Sequence, residues 1–105
     1  MILLHVITDK EDQAIEIVDF LLDKKMLLEA VLLEKVTVRK KRGTEKPTST
    51  SQTLVMGKTK ALLFNTIDEL IKEKYPDNMP IIYSTPIVHM DWDQSKELVN
   101  EVAKI

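Results

Sequence analysis

The chain has 105 residues, 44% of them hydrophobic and 30% charged, with a formal net charge of -2 and no cysteine. That size supports one hydrophobic core and not two, and the clustering of apolar residues excludes a disordered chain. The absence of cysteine excludes disulfides, thiolate nucleophiles and cysteine-ligated metals; the charge balance gives no global pull towards nucleic acid or anionic lipid, so any such contact needs a local patch.

Residues Ile2 to Ile7 are apolar except for His5, which predicts a first strand buried on both faces. Thr8 and Glu11 have capping-box spacing, and Ala14, Ile15, Val18, Leu21 and Leu22 recur with helical period, so a helix is expected from about Asp9 to Lys25. Its acids Asp12, Glu16, Asp19 and Asp23 read as a solvated face. Leu27 to Arg39 is rich in Leu and Val and predicts a second strand, with helix as a competitor at its Leu-rich start. Gly43 to Ser51 has no apolar residue and is expected to be a turn or loop before a third strand from Gln52 to Lys58. Thr59 is placed as the N-cap of a second helix over Lys60 to Lys74, with Leu63, Phe64, Ile67, Leu70 and Ile71 inward. Tyr75-Pro76-Asp77-Asn78 ends that helix. A fourth strand follows within Met79 to Val88, bounded by Pro80 and Pro86. Asp91 and Gln94 then open a closing helix carrying Leu98, Val99, Val102 and Ile105.

The order strand, helix, strand, strand, helix, strand is the split βαβ pattern, so the expected fold is α+β: one ferredoxin-like βαββαβ domain over residues 1 to 105, with a four-stranded antiparallel sheet and a C-terminal helix. Right-handed crossovers put both main helices on one face of the sheet. The other face, with apolar residues at nearly every position of the first two strands, calls for a partner surface, and self-association supplies it most simply.

Lys58-Thr59, the helix carrying Phe64, Ile67 and Ile71, Tyr75-Pro76, Met79-Pro80-Ile81-Ile82 and Pro86-Ile87 together resemble the CutA family of divalent-cation tolerance proteins. The spacing from Lys58 through Pro76, Pro80 and Pro86 matches that family without a gap. Tyr75 stands where the family usually has histidine, Asp77-Asn78 replaces its Tyr-Glu, and Ala30 falls where cysteine is common, so the chain reads as a divergent relative. The resemblance implies a non-enzymatic homotrimer, with sheets packed about a central axis and hairpin strands paired between subunits, and a role in divalent-metal binding or tolerance. The related PII signalling proteins place nucleotide between subunits, which supplies an alternative: a sensor that binds a nucleotide or small anion at subunit interfaces.

For a metal, the ligand candidates are His5, gathered by symmetry about a trimer axis, and His89 with Asp91 and Asp93 at a subunit edge. The bland readings are a polar interface histidine and a capping turn. For an anion the candidates are Arg39, Lys41, Arg42 and Lys58; the first three belong to a run in which Lys35, Arg39, Lys40, Lys41, Arg42 and Lys46 face one acid, Glu45. Such a run also serves as a lysine-protected sheet edge, the reading preferred here. The hydroxyls between Thr48 and Thr53 have no histidine placed to activate them, so no catalytic residue and no enzyme is expected. Tyr83 and Trp92 are the aromatic candidates for lining a pocket, with packing as the ordinary role of a tryptophan at a helix start. The expected partners are other copies of the chain and a metal or small-molecule ligand, not nucleic acid or membrane; with no signal-peptide pattern at Met1 to His5, the expected location is cytoplasmic.

Overall fold

A computed structural model describes residues 1–103. The elements follow in the order β1 (Ile2–Thr8), α1 (Glu11–Asp23), β2 (Val31–Lys40), β3 (Thr48–Thr59), α2 (Phe64–Lys74), β4 (Ile81–Pro86) and α3 (Trp92–Glu101), with a 3₁₀ turn at Ala61–Leu63 leading into α2. The four strands form one antiparallel sheet in the order β2-β3-β1-β4. This is the expected α+β architecture, a ferredoxin-like sheet with a C-terminal helix.

The core lies between the sheet and its helices. Leu4 and Val6 of β1 and Val55 of β3 meet Ile17 and Leu21 of α1, Ile67 and Ile71 of α2, Leu98 of α3 and Val102 just after it. Because side chains alternate along a strand, burying Ile2, Leu4, Val6 and Thr8 on this side turns Leu3, His5 and Ile7 to the other. Those three are only half-buried, so β1 is not buried on both faces within one chain. The last helix adds to the helix-side core and leaves the open face uncovered. Ile105 lies outside the described residues.

Local chemistry moved several boundaries. Thr8 does not cap α1: its hydroxyl donates to Gln13 Oε1 and accepts from Lys10 N–H at 3.4 Å, while Gln13 Nε2 donates to the Asn78 carbonyl at 3.0 Å. The helix starts at Glu11, after an extended Lys10. Thr59 is the last rung of β3, opposite Ile2, and its buried hydroxyl donates to the Met26 carbonyl at 2.7 Å instead of capping α2. Asp91 caps α3 as expected, accepting from the backbone N–H groups of Asp93 and Gln94.

The largest departure is the hairpin. The polar stretch expected to be a loop is strand from Thr48 onwards, and β2 does not begin until Val31. A bulge between Leu33 and Val36, with Lys35 at φ +56°, inserts one extra residue and rephases β2. Pairs Val36↔Gln52 to Lys40↔Thr48 extend beyond Thr8↔Thr53, the last pair that β1 makes with β3. Five rungs thus project as a two-stranded arm roughly 15 Å long. The arm contributes to overall dimensions of 48 × 29 × 22 Å.

Candidate functional site

The register places a continuous row of side chains on the open face. One rung runs Ile81, Ile7, Leu54, Leu33; the next runs Tyr83, His5, Met56, Val31; Leu3 and Lys58 follow. Val31, Leu33, Ile81 and Tyr83 are each between 44% and 54% exposed, high for large apolar residues on a sheet. The bulge carries the pattern outward, because it returns Val36 and Val38 to the same face as Leu33. His5 sits inside this surface, its ring stacked on Tyr83 with centroids 4.8 Å apart, and its buried Nδ1 has no hydrogen-bond partner.

The metal candidates are dispersed. His5 is on the open face, whereas His89 follows β4 and lines a separate hollow of about 310 Å³ with Met1, Ile87, Val88, Met90 and Trp92. His5 pairs with Tyr83 in mid-sheet, whereas His89 comes after β4 has ended at Pro86, the partner of Ile2, so the two histidines do not share a rung. Asp91 is committed to its cap. Among the described residues no three histidine or carboxylate side chains come together to hold a metal ion. Trp92 does not pack at its helix start: it is 81% exposed on the rim of the His89 hollow.

The proposed anion ligands separate likewise. Arg39 pairs with Ser49 near the arm's end and donates from Nη1 to Ser49 Oγ at 2.9 Å. Lys58 lies at the opposite end of β3, beside Leu3, with its ammonium 3.5 Å from Glu29 Oε1. One chain therefore does not bring Arg39, Lys41 and Arg42 to Lys58. What surrounds Lys58 is a hollow of about 440 Å³ lined by Leu28, Glu29, Met90, Gln94, Glu97 and Leu98. Sequence reasoning missed this cleft because it joins the β2 entry to α3, which no local spacing connects.

Tyr75 is buried at the end of α2, and its hydroxyl donates to Glu16 Oε1 at 2.6 Å. Lys74 approaches the same carboxylate at 3.4 Å. The tyrosine hydroxyl, with help from Lys74, holds Glu16 below the usual carboxyl range; burial, and then the Glu16 bond, push Tyr75 up. Glu16 is thus an anchor for α2 as well as part of a solvated helix face. On the other flank of α1, hydrogen bonding and repulsion from Glu34 raise the Glu11 carboxyl.

No family model matches the chain, and no curated protein matches it. Solved structures do match along its whole length. CutA1 from Pyrococcus horikoshii superposes with a TM-score of 0.86 at 25% identity, covering 99% of this chain and 100% of that one. CutA1 from Oryza sativa gives 0.88 at 14% identity, over 99% of this chain and 94% of that one. The CutA of Archaeoglobus fulgidus, described as a periplasmic divalent cation tolerance protein, gives 0.85 at 16% identity over 98% and 100%. No helix among the described residues is long and apolar enough to cross a membrane. With all its elements in place and most of its sequence changed, the chain shares its fold from end to end with these CutA proteins.

Proposed function

We propose that this chain is a non-enzymatic CutA-like protein of divalent-cation tolerance that works as a homotrimer. The observation that carries the proposal is the open apolar sheet face on a fold matched from end to end by divalent cation tolerance proteins. A patch of this kind on a small soluble domain is normally covered, and closed symmetry covers it without leaving a growing edge. Light scattering should give a mass three times the 12.1 kDa of one chain, and a monomer mass would refute the assembly.

Among the described residues a single chain has no assembled divalent-cation site, so binding falls to side chains that copies bring together. His5 is the residue to test, because it is central in the face that assembly would bury and its Nδ1 is unpartnered. Three symmetry-related imidazoles form a known donor set for a divalent ion. A ligand that binds only the native state raises the melting temperature. Divalent metals should therefore raise it for the parent protein and not for His5→Ala. A rise with adenine nucleotides and none with metals would favour the anion-sensing alternative and exclude this one.

A further inference from the structure

Two of the chain's five methionines, one of its two histidines and its single tryptophan meet at one place in the fold. β4 ends at Pro86, and the Ile87 N–H donates to the Met1 carbonyl at 3.1 Å, which carries the β1–β4 pairing one step further and holds Met1 beside the connection to α3. At the far end of that connection the Asp91 cap fixes the start of α3, whose first residue is Trp92. Met1, His89, Met90 and Trp92 thereby wall one hollow of about 310 Å³, with Ser95 of α3 beside them. Packing explains the two methionines, which rest against the helix-side core as ordinary gap-fillers. It does not explain the other two side chains. His89 is exposed, and Trp92 stands on the rim with little of its large apolar surface buried.

We propose that this hollow binds a soft monovalent cation of the Cu(I) class, with the Met1 and Met90 thioethers and the His89 imidazole as ligands and the Trp92 indole as its cover. Thioether sulfur favours Cu(I), whereas magnesium, calcium and manganese call for carboxylate, carbonyl or water oxygens. With no cysteine in the chain, methionine is its only soft donor. Among the described residues no carboxylate lines the hollow, so a divalent ion would sit there with both charges uncompensated, and a single charge costs less to bury. An indole face attracts a cation placed over it and keeps water away from it. All three ligands belong to one chain, so the site is complete whatever a neighbouring copy covers. It also lies at the end of the sheet opposite this chain's own arm. The inference is independent of the divalent-cation reading, which rests on His5.

The test is titration of the full-length protein with Ag(I), a redox-stable probe of the same softness, in chloride-free buffer, followed by tryptophan fluorescence. Trp92 is the only indole, so its quenching reports this hollow. Ag(I) is expected to quench it at one equivalent per chain, and an excess of Zn(II) to leave the quenched state unchanged. His89→Ala and Met90→Leu should each weaken Ag(I) binding by at least about tenfold, since even outer-shell partners of a metal contribute roughly 10–100-fold. Leucine replaces methionine at nearly constant volume and His89 is exposed, so both variants should melt like the parent in the absence of metal. His5→Ala removes the other imidazole, which faces Met56 across β1 and β3, and should leave the quenching intact. No quenching by Ag(I), reversal by Zn(II), parent affinity in either ligand variant, or loss of quenching in His5→Ala would each overturn the proposal.

Discussion

His5 of β1 and Tyr83 of β4 stack almost parallel across their strand pair, with 7° between the ring planes, on the face of the sheet opposite the helix-side core. The pair joins a polar ring to an apolar surface continuing through Met56 to Val31. A buried imidazole nitrogen without a partner is costly beside purely apolar neighbours, and suits a symmetric interface that supplies a donor or a cation. Tyr83→Asp and Val31→Asp place carboxylates on that surface while leaving the helix-side core untouched. Each is expected to yield folded monomers of 12.1 kDa by light scattering, with far-ultraviolet circular dichroism unchanged. An unaltered trimer mass in both variants would place the interface elsewhere.

Tyr75→Phe tests the α1–α2 anchor. The phenol and Lys74 both favour the ionised Glu16, so its folded-state pKa lies below the unfolded one. A depressed carboxyl contributes stability above the unfolded pKa and loses it as pH falls through the folded value. The variant should melt below the parent protein at neutral pH, with the gap narrowing once the pH drops below the ordinary carboxyl range near 4.5. Glu16 is exposed, so the gap is small, and its pH dependence is the diagnostic feature.

The Glu11 carboxyl supplies the opposite sign. Glu34, across from it on the bulge, raises its pKa, so ionising both groups destabilises the fold. The contribution is favourable below the unfolded carboxyl pKa and is lost as pH rises through the raised folded value. Glu34→Gln should therefore raise the melting temperature at pH 7 relative to the parent and give no such gain at acid pH. Thermal scans at the two pH values decide it.

Much of the fold was legible because hydrophobic period and turn residues act locally. Ala14, Val18 and Leu21 marked α1, Leu63, Ile67 and Ile71 marked the second helical region, and Pro80 with Pro86 bracketed β4 closely. The arm was not legible, since Thr48 to Ser51 carry no apolar signal, although threonine is a good strand former once a partner strand is in register. Thr8 and Thr59 were misread as caps because their hydroxyls found longer-range partners, Gln13 and the Met26 carbonyl. The candidate site was legible only as residue types. His5 was visible as an exception in an apolar run, but its stacking on Tyr83 depends on the β1–β4 register, and the separation of Lys58 from Arg39 depends on the length of β3.

Gly57 illustrates a constraint visible only in three dimensions. A Cβ at this position would lie 2.8 Å from Leu27 Cδ2 and 3.3 Å from the Glu29 carbonyl oxygen. Leu27 is buried and cannot swing freely into solvent. Gly57→Val should destabilise by about 1–3 kcal/mol, the usual cost of overpacking, read as a lower denaturant midpoint. Because Leu27 and Glu29 form the entry to β2, the substitution also disturbs the wall of the Lys58 cleft. A midpoint equal to that of the parent would show that the entry is free to move aside.

Asp91 separates two roles for one carboxylate. It accepts from Asp93 N–H at 3.2 Å and Gln94 N–H at 3.1 Å, which satisfies orphan donors at the start of α3. Asparagine presents a neutral oxygen in the same place and is an equally good N-cap, whereas alanine presents none. If capping is the whole role, Asp91→Asn keeps the parent's stability, and Asp91→Ala loses about 1 kcal/mol in chemical denaturation. A ligand to a divalent cation gives a different pattern, since a neutral amide is a much poorer donor than a carboxylate. In that case both variants lose the metal-induced rise in melting temperature, the asparagine variant included. The cap geometry leads us to expect that Asp91→Asn retains both its stability and the full metal response, which leaves His5 as the imidazole through which divalent-cation binding is to be sought.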